Sequence, residues 1–237
     1  MKSIYLAALI GVLLLLDINE VKAQKVIQSE FLMNSLKAKD FKAALADVRY
    51  VDSVNYCDSL GRSLLMYASG DGFARVCKIL IEKGANPDLQ ASDGTTALME
   101  ASLYRQPGIV KLLLDEGANL DLQAADGTSV LMYASFNGQV ETVKLLMEKM
   151  ANVNLRRNDG STALIHASYN GQTEIVKILL DKKSNLNLQA TDGSTALMHA
   201  SQNGQSEVVN LLITNGARLD LQRSDGATAL IIALQNG

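Results

Sequence analysis

A glycine recurs every 33 residues in this chain, at Gly61, Gly94, Gly127, Gly160, Gly193 and Gly226. A strict period of that length builds a fold by stacking one small unit, because a single unit cannot bury its own apolar face and must share it with a neighbour. The surrounding columns keep step. Asp precedes the glycine in five of the six copies, and Leu60 stands there in the first. A hydroxyl follows two residues on, as Ser63, Thr96, Ser129, Thr162, Thr195 and Thr228. Leu65, Leu98, Leu131, Leu164, Leu197 and Leu230 come next, then Ala68, Ala101, Ala134, Ala167, Ala200 and Ala233.

Each unit reads as turn, helix, short loop, helix. Asp-Gly forms a tight turn, since Gly accepts positive φ and Asp bonds its own backbone. The hydroxyl after it is a helix N-cap, its oxygen taking one orphan N–H of the first turn. In the fourth unit a helix follows from Ala163 to Tyr169, and Asn170-Gly171 closes it. A second helix runs from Glu174 through an apolar stretch, with Lys177 outward. The alanine column marks where helices of neighbouring units approach too closely for a larger side chain. Lys78, Lys111, Lys144 and Lys177 lie four residues before Glu82, Asp115, Glu148 and Asp181, which reads as a solvated outer face of weak pairs within each helix. Met150 and Lys183 take the place that Gly84, Gly117 and Gly216 hold after the second helix, so a left-handed backbone there would strain those two units.

These residues resemble the ankyrin-repeat family, whose unit is a 33-residue tip and two antiparallel helices. The family's Thr-Pro-Leu-His-x-Ala is matched by Thr195-Ala-Leu-Met-His-Ala and its counterparts, and its Gly-Ala-Asp-x-Asn by Gly84-Ala-Asn-Pro-Asp. The resemblance implies an all-α ankyrin-repeat solenoid. The chain departs from the family where Met66, Met99, Met132, Ile165, Met198 and Ile231 replace the signature histidine, so thioether and aliphatic packing takes over from Thr-to-His hydrogen bonds. The expected organisation is a leader at 1–23, a degenerate capping unit at 24–57 whose first helix starts at Ser29, full units at 58–90, 91–123, 124–156, 157–189 and 190–222, and a partial sixth at 223–237. Such a sixth unit stops where its first helix closes, leaving Ile231, Ile232 and Leu234 without a covering second helix, and the native chain is expected to continue.

The first 23 residues follow a different grammar. Lys2 precedes an apolar run over residues 4–16, then a polar stretch and Val21-Lys-Ala23, the pattern of a cleaved secretory signal. The run is too short to span about 30 Å of hydrocarbon as a helix. No cysteine follows it as a lipoprotein anchor requires, and no other segment has the length to cross a membrane. The expected location is secreted or periplasmic, with a cytoplasmic protein as the alternative if the leader does not function. The leader holds as many basic as acidic residues, so its loss leaves the formal net charge at −3. Mild acidity without a basic cluster argues against nucleic acid as a partner. Of the two cysteines, Cys57 sits at a unit boundary and Cys77 in an apolar column, which favours a core thiol over a disulfide.

No grouping carries catalysis. His166 and His199 hold equivalent positions in adjacent units, but a metal would require further ligands in reach, and Glu100 of the same column is two units from His166. The serines after the alanine column belong to the architecture and form no nucleophile-base-acid set. The glycines punctuate helices and make no phosphate cradle. Neither enzyme activity nor a cofactor or metal is expected.

Function is expected in the columns that do not repeat. The resemblance places the tips and first helices on the concave face that binds partners in the family. Leu103, Tyr104, Tyr133, Phe136, Asn137, His166, Tyr169, Asn170 and His199 then form an aromatic and polar stripe in mid-groove, with the composition of a binding hot spot. Tyr67 and Tyr133 are equally readable as packing between units. The expectation is a monomeric, exported scaffold that captures a protein partner. Its rivals are a secreted effector or inhibitor, and a repeat segment of a longer receptor or enzyme.

Overall fold

The computed structural model describes residues 2–236, with side chains from Glu20 onward. The side chains of the leader's apolar run, and Gly237, lie outside that range. Thirteen helices are described: α1 (Lys2–Lys37), α2 (Phe41–Asp47), α3 (Leu64–Gly70), α4 (Ala74–Glu82), α5 (Ala97–Leu103), α6 (Pro107–Asp115), α7 (Val130–Phe136), α8 (Val140–Glu148), α9 (Ala163–Tyr169), α10 (Thr173–Asp181), α11 (Ala196–Gln202), α12 (Ser206–Thr214) and α13 (Ala229–Asn236). Among the described residues there is no strand, and isolated bridges join Cys57 to Ser63 and Gln123 to Ser129 across two tips.

Local chemistry sets each first helix. The hydroxyl oxygens of Ser63, Thr96, Ser129, Thr162, Thr195 and Thr228 accept the N–H three residues on, at 3.2–3.4 Å. Each tip Asp accepts the N–H two residues on, as at Asp126 with Thr128 and Asp159 with Ser161. In the first unit, where Leu60 breaks the Asp-Gly pattern, Asp58 takes over and accepts from the N–H groups of Leu60 and Arg62, both at 3.0 Å.

The first helices α3, α5, α7, α9, α11 and α13 pack side by side in one layer, and α4, α6, α8, α10 and α12 in a second. Leu65, Leu98, Leu131, Leu164 and Leu197 fill the space between and are buried, each contributing about 2 kcal/mol of apolar burial. Ala68, Ala101, Ala134, Ala167 and Ala200 are fully buried at the closest approaches. Met66, Met99, Met132, Ile165 and Met198 are buried in the place of the signature histidine.

Polar ties between units come from columns that the sequence reading passed over. Asn55, Asp88, Asp121, Asn154 and Asn187 each accept the backbone N–H of residue 86, 119, 152, 185 or 218 in the next unit, at 2.8–2.9 Å. Gln90, Gln123 and Gln189 donate to the carbonyl 33 residues on at 2.9–3.0 Å, and Arg156 stands in their column and does the same at 2.6 Å. The tips are joined directly as well: Ala125 N–H donates to the Asp93 carbonyl at 2.8 Å, and Asn158, Thr191 and Ser224 repeat the bond.

Two expectations change. The helix expected to start at Ser29 is instead the C-terminal part of α1, and buried Ser29 donates from Oγ to the Lys25 and Ser53 carbonyls. Leu32, Met33 and Leu36 of α1 and Ala44 of α2 still enter the shared core. The lysine column pairs between units as well as within them: Lys144 meets Glu174 at 2.9 Å besides Glu141 of its own helix at 3.5 Å, Lys177 meets Glu207 at 3.2 Å, and outside the column Asp115 meets Lys149 at 2.9 Å. Lys78 alone reaches the acid four residues on, Glu82, at 3.8 Å. Neighbouring second helices lie close enough for a long side chain to cross to the next unit, and these exposed pairs add little stability.

Cys57 and Cys77 are both free thiols. Cys77 is fully buried, and that burial pushes its thiol up to about 12, so it behaves as an inert core side chain.

Met150 and Lys183 adopt φ of 65° and 61°, the left-handed region that Gly84, Gly117 and Gly216 occupy in their units. Met150→Gly and Lys183→Gly should therefore each stabilise the protein by about 0.5–1 kcal/mol. A denaturant midpoint that stays put or falls in both variants would rule out strain at these sites.

Candidate functional site

The tips and the first helices share one face, and the sequence-singled residues fall along it unevenly. Phe136 and Tyr169, at the ends of α7 and α9, are 49% and 45% exposed. Each meets a histidine of the next unit edge-on: Phe136 with His166 at a centroid distance of 5.8 Å, and Tyr169 with His199 at 5.8 Å. Asn170 Nδ2 donates to the Phe136 carbonyl at 2.9 Å, and Arg105 reaches the Asn137 carbonyl at 2.7 Å, so both helix ends are fastened across units.

Tyr133 is half-buried against the core. With Met132, Phe136, His166, Thr128, Asp126 and Arg157 it lines a cavity of about 210 Å³ between the third and fourth units. Arg157, which the sequence reading did not single out, braces two tips: its guanidinium meets Asp126 at 2.9 Å and Asp159 at 3.3 Å. The available signal was that Arg157 replaces the alanine that Ala91, Ala124 and Ala190 place in its column, two residues before the tip aspartate.

Leu103 and Tyr104 are exposed at the end of α5, but Tyr104 separates from the stripe. Its ring lies over Gly70, where a Cβ would come within 3.2 Å of it. It lines a second cavity with Lys37, Lys39, Arg62, Tyr67, Asp71 and Glu100. There Glu100 is buried and paired with Arg62, and burial pushes its carboxyl up despite that cation. Tyr67 donates to Asp58 at 2.9 Å, with Arg62 and Lys37 over its ring at 5.3 and 5.5 Å. Tyr67 is therefore tied into this polar cluster.

The electrostatics of the face follow from the tips. Asp93 is held below the usual carboxylate range chiefly by the Thr95 N–H. At Asp126, Asp159 and Asp192 burial opposes ionisation, but the N–H and hydroxyl two residues on, together with nearby cationic side chains, outweigh it. Burial lowers both His166 and His199, so the two imidazoles are neutral at neutral pH. His199 Nδ1 is buried without a hydrogen-bond partner among the described residues. Among those residues no group of three or more His, Cys, Asp or Glu is placed to hold a metal ion, and no helix is long and apolar enough to cross a membrane.

Stacked turn-helix-loop-helix units with a face of rigid tips and adjoining aromatic side chains define a class, the helical repeat solenoid. The chain belongs to the ankyrin-repeat family: a family model described as ankyrin repeats matches it three times, over residues 32–124, 108–190 and 182–237. It is similar to the crystal structure of the ankyrin repeat domain of Bcl-3, described as a unique member of the IkappaB protein family. The likeness has 28% identity and a TM-score of 0.74, and covers 86% of this chain and 93% of that one. No curated protein matches the chain. Ankyrin repeats are generally protein–protein interaction modules and typically non-enzymatic scaffolds.

Proposed function

We propose that this protein is a non-enzymatic scaffold that captures a protein partner in the groove between its tips and first helices, and that residues 1–23 direct it out of the cytoplasm. The observation that carries the binding reading is the pairing of Phe136 with His166 and Tyr169 with His199. Large aromatic side chains, held at fixed geometry and half open to water, offer contact area at little entropic cost. Their exposure also means that the fold does not depend on them. The export reading rests on the leader's pattern of a basic residue, a short apolar run and a small-residue end.

The double variant Phe136→Ala with Tyr169→Ala tests the proposal. Used as bait from Gln24 onward against the extracytoplasmic fraction of the producing cells, it should lose the partner that the unaltered chain retains. Its thermal melt should stay within about 1 kcal/mol of the parent, as for exposed sites. Partner capture by the variant at parental level would refute the groove as the binding surface.

A further inference from the structure

We infer that the cavity between the third and fourth units receives one bulky apolar side chain, a Leu, Met or Phe, from an extended segment of the protein partner, and that a Lys or Arg of the segment sits about three residues from that anchor. The inference rests on the groove reading above and names what the groove selects.

The cavity holds about 210 Å³, room for a single large side chain, and Met132, Tyr133, Phe136 and the neutral imidazole of His166 provide most of its lining. Its charged lining residues exclude other occupants. Arg157 is engaged by both Asp126 and Asp159, so it has little to offer an anion, and Asp126, the one carboxylate of the lining, is already paired with Arg157 and has little to offer a cation. An uncharged anchor remains.

The flanks carry the opposite preference. The tip column presents Asp93, Asp126, Asp159, Asp192 and Asp225 along one line, against Arg157 and Arg223. Asp93 and Asp192, one unit to either side of the anchor cavity, are fastened by the N–H groups of Thr95 and Ser194 and form no ion pair among the described residues. Neighbouring units stack at about 10 Å, a span that an extended chain covers in about 3 residues. A segment with a cation at that spacing meets an ionised carboxylate, and one with an acid there is repelled.

A random dodecapeptide library displayed on phage, panned on the full-length chain, tests this. Peptides whose binding is lost on the Phe136→Ala, Tyr169→Ala double variant are the groove binders. They should share one Leu, Met or Phe with a Lys or Arg about three positions away. In a synthetic consensus peptide, Ala at the anchor should weaken binding about tenfold or more. Glu in place of the cation should weaken it about threefold at low salt and less at high salt. The second effect should vanish on Asp93→Asn with Asp192→Asn, and the salt dependence reports the same contact should that variant melt early. Groove binders without an apolar anchor, or with acidic flanks, would overturn the inference while the groove reading stands. A library that yields no peptide dependent on Phe136 and Tyr169 would count against both.

Discussion

Gly94→Ala should destabilise the protein by about 3 kcal/mol, whereas Gly226→Ala, at the equivalent place in the sixth unit, should cost about 1 kcal/mol. Both glycines lie in the left-handed region, with φ of +77° and +83°, so both substitutions incur the same intrinsic backbone strain. They differ in what stands opposite. A Cβ at Gly94 would come within 2.7 Å of the Ala125 nitrogen and 2.9 Å of the Ala124 backbone, while one at Gly226 meets nothing within 4 Å. Backbone cannot swing aside as a side chain can. The Ala125 N–H is also the donor that ties the second and third tips together, so relieving the clash breaks that 2.8 Å bond to the Asp93 carbonyl. Denaturant unfolding of the two variants side by side measures the difference. Equal losses would mean that turn conformation alone, and not tip-to-tip approach, requires the glycine.

Asp58→Asn should cost about 1–2 kcal/mol at neutral pH and almost nothing at pH 2. Burial resists ionisation of this carboxyl. Hydrogen bonds from Lys37, Tyr67 and the N–H groups of Arg62 and Leu60 overcome that resistance and lower it from 3.8 to about 2. A carboxyl lowered on folding stabilises the native state above its unfolded value, and the contribution disappears as pH falls from about 4 to about 2. The Asp58 side chain is 9% exposed, so the shift carries weight, but its partner Lys37 is 43% exposed. Water screening therefore takes part of the energy that a shift of this size would otherwise represent. The acid also joins α1 to the first full unit through Lys37, at 3.1 Å, so the loss should concentrate at that end. Unfolding midpoints of parent and variant across this pH range give the test, and parallel curves would disprove the assignment.

The two substitutions bear on different kinds of information. The tip glycine was legible as a turn residue because Asp-Gly signals positive φ locally, yet the backbone standing over it belongs to the next unit, 31 residues on. Asp58 was not legible. It sits outside the Asp-Gly column, and only the fold shows that it replaces the missing tip acid while meeting Lys37 from α1. In the groove, Phe136, Tyr169 and the two histidines stood out because their columns vary where the rest repeat. Their edge-on pairing across units, the brace by Arg157 and the turning of Tyr104 onto Gly70 depend on how one unit is set against the next.

The same division runs through the whole protein. The 33-residue beat is read directly from the chain, and the hydroxyl caps and the left-handed sites at Met150 and Lys183 were determined by sequence alone, since each of these depends on hydrogen bonds or φ values within about four residues of the chain. The lysine column's partners, the Asn and Gln ties, the buried Glu100–Arg62 pair and the anchor cavity were decided only by the tertiary structure. Their partners lie about one unit apart along the chain. The offset between stacked units, which repetition in a sequence does not specify, selects the side chains that meet.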